Sequence, residues 1–257
     1  MTRISRRGFI GAGTAAAAGL LLSGCDAGFD SPSWRGVLDF GQLLSRTTQR
    51  LLLSRQPLAR EFNAADISPE FPFNGTTMPN NFGYFQMMIS NFATWRLTVD
   101  GLVRQPLSLS LDEIKALPSR TQITLHCCDE GWSAIGQWTG VPLSLLLQTA
   151  ELMPQTRYIV FHCLDELERL PNRLGFYYES LDLFDAFHPQ TILAYARNDK
   201  PLPVGHGAPL RLRVERQIGY KNAKFVTRIE AVDRLDRLGR GRGGFWEDRG
   251  YQWYAGL

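Results

Sequence analysis

Trp95, Leu97 and Val99 alternate with Arg96, Thr98 and Asp100, the two-residue period of a strand with one buried face, and Gly101 supplies a turn after it. Ser110-Leu111-Asp112-Glu113 has the spacing of a capping box and predicts a short helix through Leu117, stopped by Pro118. Apolar runs predict strands over 122–126, 158–162, 191–195, 210–214 and 225–232, and helices over 142–150 and 180–187. Val37, Phe40, Leu44 and Leu51 fall near helical spacing with Arg46, Arg50 and Arg55 among them, a face for either the body of the protein or a membrane. Residues 65–81 hold Ser68-Pro69, Phe71-Pro72, Asn74-Gly75 and Pro79-Asn80-Asn81 in succession, which predicts an extended, irregular segment with its own path. Strands and long helices do not alternate, so a doubly wound sheet is not favoured and a mixed α+β domain is.

The chain of 257 residues is 44% hydrophobic and 21% charged, enough apolar surface for a packed core, which argues against a disordered or disulfide-stapled chain. No apolar run reaches the roughly 18 residues of a spanning helix. The first 24 residues hold Arg3, Arg6 and Arg7 and no acid; without them the 28 basic residues fall to 25, equal to the acidic count. A formally neutral mature chain gives little reason to expect a nucleic-acid partner. The short Gly/Arg tract at 239–251 carries Glu247 and Asp248 and is expected to be a structured loop.

Ser5-Arg6-Arg7-Gly8-Phe9-Ile10 before a modest Ala/Gly/Leu stretch has the form of a twin-arginine export signal, and Leu22-Ser23-Gly24-Cys25 that of a lipobox with Cys25 as the acylated residue. The expected organisation is a signal peptide over 1–24, a tether and N-terminal extension over 25–79, and a catalytic domain over 80–257. The expected location is the periplasmic side of the cytoplasmic membrane, held by a lipid anchor. Three cysteines remain, Cys127, Cys128 and Cys163, an odd number that leaves at least one thiol unpaired within the chain.

Two segments carry chemistry. His126-Cys127-Cys128-Asp129-Glu130-Gly131-Trp132-Ser133 places thiols at a strand end before a Gly/Trp-rich loop. The paired C-x-x-C spacing usual for zinc and the haem signature C-x-x-C-H are both absent, which leaves three readings: zinc held in another way, a metal whose other ligands come from a cofactor, which suits a lone thiolate, and a buried inert cysteine. His206-Gly207-Ala208-Pro209-Leu210-Arg211 and Gly219-Tyr220-Lys221-Asn222-Ala223-Lys224 combine glycines with Arg211, Lys221 and Lys224, a pattern for a buried phosphate or for a turn flanked by solvated cations.

With Trp95–Val103 and Trp138-Thr139-Gly140-Val141-Pro142-Leu143, these segments resemble, in order and spacing, the sulfite oxidase family of molybdopterin-dependent oxidoreductases. The resemblance is closest to the periplasmic branch of methionine-sulfoxide reductase catalytic subunits and covers roughly residues 80–257. It implies a single-domain, mixed-sheet sulfite oxidase fold and a molybdenum-molybdopterin cofactor with Cys128 as the thiolate ligand. It also implies cofactor contacts from Asn80, Gly83, Tyr84, Cys163, His206, Arg211, Asn222, Ala223 and Lys224. Asp129 and Cys127 depart from the family pattern. The implied activity is two-electron oxygen-atom transfer, with reduction of a small-molecule or protein-bound S- or N-oxide preferred, and a membrane-bound or periplasmic electron carrier as partner. Sulfite oxidation and a metal-free lipoprotein binding module on the same fold are the alternatives.

Overall fold

The computed structural model describes residues 32–52, 57–170 and 173–257. The export motif and Cys25 lie outside the described residues. The chain divides at Ser54. Before it, helix α1 (Pro32–Leu52) stands as its own element; the rest of the fold belongs to residues 55–257.

That body opens with an irregular stretch and helix α2 (Phe82–Ile89). It continues through β1 (Arg96–Gly101), β2 (Leu107–Ser110), α3 (Leu111–Ala116), β3 (Arg120–Cys127), β4 (Ser133–Pro142) and α4 (Leu143–Thr149). Then follow β5 (Tyr158–Leu170), β6 (Arg173–Asp182), α5 (Leu183–Ala186), β7 (Ile192–Arg197), β8 (Lys200–Pro201), β9 (Arg211–Arg213) and β10 (Val226–Val232). One five-stranded sheet has the order β2-β1-β10-β5-β6, parallel only between β1 and β10. The other runs β3-β4-β7-β8 with β9 added beside β7. This is the mixed α+β domain that the pattern predicts.

The alternation in β1 works as read: Leu97 and Val99 are fully buried, Arg96 is exposed and Asp100 half-buried. They pack with Ile159 and Phe161 of β5, Ile229 of β10 and Leu143, Leu146 and Leu147 of α4 in one core. Each such side chain contributes about 1.5–3 kcal/mol on leaving water. The capping box forms: Ser110 Oγ accepts from the Glu113 N–H at 3.2 Å, and Glu113 Oε2 accepts from the Ser110 N–H at 2.7 Å. The Ser110 N–H and the Ser110 hydroxyl, both donating to the carboxylate, hold the Glu113 pKa below the usual carboxylate value.

Two expectations are corrected. Residues 180–187 are not one helix: Ser180 and Leu181 pair with Val160 and Ile159 in β6, and only Leu183–Ala186 is helical, capped by Asp182. The pairing of β6 with β5 outweighs local helix propensity. The loop expected after Cys128 is only a turn; Ser133–Pro142 is a ten-residue strand. Within it, a side chain at Gly140 would collide with the Leu193 carbonyl across the bulge in the β4–β7 ladder, so the ladder closes only around glycine. Gly140→Ala should therefore cost about 1–3 kcal/mol, read from chemical unfolding of the purified chain.

Lys221 is also corrected. It is not part of an anion cradle: its ammonium is fully buried between Glu179 and Glu247, 2.7 Å from Glu247 Oε1. This triad ties β6 to the C-terminal loop, whose Phe245 is buried. Burial and the nearby Glu247 push the Glu179 pKa well up. Lys221→Met should destabilise by about 3–5 kcal/mol in urea titrations at neutral pH, because it leaves two buried carboxylates facing each other.

Candidate functional site

Strand β3 delivers Cys127 half-buried and, one residue beyond its end, Cys128 buried. The turn that follows is closed by the Cys128 N–H donating to the Trp132 carbonyl at 2.8 Å, which leads straight into β4. Burial raises the Cys128 thiol pKa to about 11, so on its own it is protonated at neutral pH and needs a cation to become a thiolate. Gly219 passes directly over this turn. A Cβ there would stand 3.0 Å from Cys128 Cα and 3.2 Å from His126 Nε2, so a side chain at this position would press on the thiol turn.

His126 sits behind the thiol turn. Arg213 Nη1 donates to its Nδ1 at 2.8 Å, which assigns the hydrogen to Nε2, and that buried N–H has no acceptor among the described residues. Arg213 itself is neutralised by Glu215, at 2.5 Å.

The second segment builds a different environment. Arg211 on β9 is fully buried. Its Nη1 donates to the His206 carbonyl at 3.1 Å and its Nη2 to the Asn222 carbonyl at 3.2 Å, while Nε finds no partner. The guanidinium lies over Trp138, 4.9 Å from the ring centre, beside Arg213. Lys224 donates to the carbonyls of Asn74 at 2.5 Å, of Gly205 at 3.1 Å and of Thr76. Burial, then the charge of Arg211, lower its pKa to about 7. Among the described residues neither cation has a carboxylate at ion-pair distance, and the buried Nδ1 of His206 and Nε of Arg197 are also without partners. Burial and the charges of Arg197, Arg211 and Lys224 hold His206 down to about 3. A set of buried donors repelling one another in this way suits a multiply charged anion such as a phosphate.

The two segments meet at a cleft of about 90 Å3 lined by Asp129, Glu130, Asp165, Gly219, Asn222 and Lys224. Its outer wall is Asn74-Gly75-Thr76, fixed by Lys224 and by the Gly75 N–H donating to Glu130 at 3.0 Å. Asn222 lines it with its side chain spent on the backbone of 214–218, and buried Ala223 pairs with Leu212. Tyr84 is buried with its hydroxyl on the Ala208 carbonyl at 2.7 Å, bracing the turn after His206. Gly83 packs on Asn81, and Asn80 is exposed and does not line the cleft. Cys163 is buried on β5 and lines a separate cleft; Tyr177 borders both.

Sequence reading missed Asp165 and the wall at 74–76. Asp165 is two residues beyond Cys163 on β5, where Glu166, Glu168 and Arg169 follow it, so nothing in the sequence singled it out among these charges. Burial raises its carboxyl pKa to about 7, and its Oδ1 has no partner.

A family model described as the oxidoreductase molybdopterin binding domain matches residues 84–237. The chain belongs to this family. A protein of Azospira oryzae, named as a candidate protein-methionine-sulfoxide reductase subunit, is 33% identical over 92% of this chain and 82% of its own length. The protein-methionine-sulfoxide reductase catalytic subunit of Xanthomonas axonopodis pv. citri is 37% identical over 55% of this chain and 46% of its own, so the match spans about half of that relative. Among solved structures, the sulfane dehydrogenase SoxCD from Paracoccus pantotrophus is similar at 23% identity and a TM-score of 0.48, over 55% of this chain and 38% of that one. The chain is thus a molybdopterin-binding oxidoreductase, as its motifs imply.

The neutral histidines set an acid limit. The pKa of His206, about 3 when folded, lies below its unfolded value, so its contribution is complete above pH 6.5 and is lost as pH falls toward 3. His126 acts in the same direction, since burial and then the Arg213 charge hold it well below the usual value. The melting temperature of cofactor-free protein should drop through this window, and His206→Gln should flatten the drop.

Proposed function

We propose that this chain reduces a neutral S- or N-oxide by two-electron oxygen-atom transfer outside the cytoplasm, fed by a membrane-bound or periplasmic electron carrier. The observation that carries the reading is one cleft with a buried thiol beside it, the buried cation Lys224 in its wall and the buried Arg211 behind its lining residue Asn222. Cys128 would hold molybdenum through its sulfur, and Arg211, Lys224 and the free Nδ1 of His206 would hold the pterin phosphate, with backbone around Asn222 and Ala223. Bound there, the cofactor supplies the oxygen-atom and electron exchange. Asp165 is a cleft group able to hold a proton at its carboxylate near neutral pH, and oxide reduction consumes protons.

Charge at the cleft favours an oxide over sulfite. Asp129 and Glu130 line it together, and such a mouth repels a dianion while leaving a neutral sulfoxide or N-oxide unhindered. The relatives named as methionine-sulfoxide reductase subunits support the same direction. Steady-state assays of molybdenum-loaded protein with sulfite, methionine sulfoxide and small N-oxides decide it; turnover of sulfite alone would overturn the reading.

Cys128→Ser should fold yet lose turnover by about a hundredfold or more, because a hard oxygen replaces a soft thiolate, whereas Cys127→Ser should stay close to the parent. Equal large losses in both would count against Cys128 as the ligand. Arg211→Ala should lower molybdopterin content in purified protein by about tenfold or more while melting cooperatively, since it removes charge-assisted hydrogen bonds to a buried anion. Full cofactor content would remove Arg211 from the cradle. The export route and anchor belong to the same proposal, and mass spectrometry of the N-terminal peptide tests them: an unacylated start away from Cys25 would discard the anchor and leave the chemistry standing.

A further inference from the structure

One face of the sheet built by β3, β4, β7 and β9 carries more positive charge than Arg211 alone. Trp138 of β4 opposes Gln122 of β3 and Arg197 of β7, while Ala194 and Ile192 of β7 oppose Arg211 and Arg213 of β9. Residues opposed across an antiparallel ladder share a face, so Arg197, Arg211 and Arg213 stand on the side that Trp138 occupies. Glu215 is taken by Arg213. Buried polar atoms on this face lack partners among the described residues: Thr124 Oγ1, His126 Nε2, Trp138 Nε1, Arg197 Nε and Arg211 Nε.

Arg197 has had no role so far. Its half-buried guanidinium lies over Phe71, 5.1 Å from the ring centre. Phe71 packs in turn on His206, at 5.5 Å between ring centres, and on Trp138, at 5.4 Å. Among the described residues no carboxylate stands at ion-pair distance from Arg197; Asp199, two positions on, accepts from Gln137 instead. Burial and then the Arg197 charge lower the His206 pKa, and burial, Arg213 and Arg197 lower that of Arg211, so these groups share one electrostatic environment.

We infer that Arg197 is a further cation of the cofactor cradle, donating from its guanidinium edge to the phosphate that Arg211, Lys224 and His206 would hold. Stacking on Phe71 uses the face of the guanidinium and leaves its N–H edge open to an oxyanion. Interior cations kept for the fold have their carboxylates, as Arg213 has Glu215 and Lys221 has two glutamates; Arg197 has none. Donors that repel one another are stabilised together by a single multiply charged anion. The inference rests on the phosphate cradle of the proposed function and adds a residue to it.

The test compares Arg197→Met and Arg197→Lys with Arg211→Ala, each in the full molybdenum-loaded chain. Loss of molybdopterin during dialysis should be about tenfold faster for Arg197→Met than for the parent, with Arg197→Lys in between because it keeps the charge but not the fork of donors. Without cofactor, Arg197→Met should melt at or above the parent temperature, since an uncompensated charge has been removed, and inorganic phosphate should raise its melting temperature less than the parent's. The inference is overturned if Arg197→Met keeps its cofactor as the parent does while Arg211→Ala loses it, an outcome that leaves the rest of the cradle standing. It is also overturned if cofactor-free Arg197→Met melts below the parent, because the guanidinium would then serve the packing of Phe71. Full retention in both Arg197→Met and Arg211→Ala would overturn the phosphate cradle together with this inference.

Discussion

Buried positive charge without a partner organises this protein. Two cations in the interior are neutralised by the fold: Arg213 by Glu215, and Lys221 by two glutamates that it bridges. Arg211 and Lys224 are treated differently. They are given carbonyl oxygens, which orient a cation without cancelling it, and the face of Trp138 for Arg211. A buried charge left in that condition is costly unless something else arrives to compensate it. The contrast separates the cations that stabilise the chain from those that wait for a ligand.

The same constraint fixes the irregular wall of the cleft. Residues 67–81 form neither helix nor strand, and a segment of that length needs outside partners for its backbone. Lys224 supplies them at Asn74 and Thr76, and Glu130 at Gly75. The wall is thus held by one residue from the cation segment and one from the thiol turn. Glu130 and Lys224 come from distant parts of the chain, yet the path of 74–76 depends on the two together.

Legibility in the sequence followed locality. The β1 alternation and the Ser110–Glu113 cap are decided by neighbours a few residues away, and both were readable. Strand β4 was not, because Gly136, Gly140 and Pro142 mimic a loop, and the glycines are explained only by close approach to distant segments: Phe71 at Gly136 and Leu193 at Gly140. The helix predicted over 180–187 failed for the same reason, since β5 claims Ser180 and Leu181. In the site, Cys128, His206, Arg211 and Lys224 could be singled out by type and motif. Sequence could not distinguish Lys221 from Lys224, which are three residues apart and differ only in whether distant glutamates reach them. Nor could it show that Asn80 is exposed while Asn74-Gly75-Thr76 forms the wall.

Polarity across the cleft completes the argument. The wall with Lys224 is positive and leads to Arg211 and His206, while the side next to Cys128 carries Asp129 and Glu130, with Asp165 between. An anionic cofactor group is drawn to the first side and kept from the second. A substrate approaching the thiol meets carboxylates first, so a dianion pays a repulsive cost that a neutral oxide does not. Asp129, the residue that departs from the family pattern, adds to this negative side. On the proposed function, cofactor retention and substrate choice would be set by opposite charges within one cleft, and a substitution that altered one sign would disturb one function before the other.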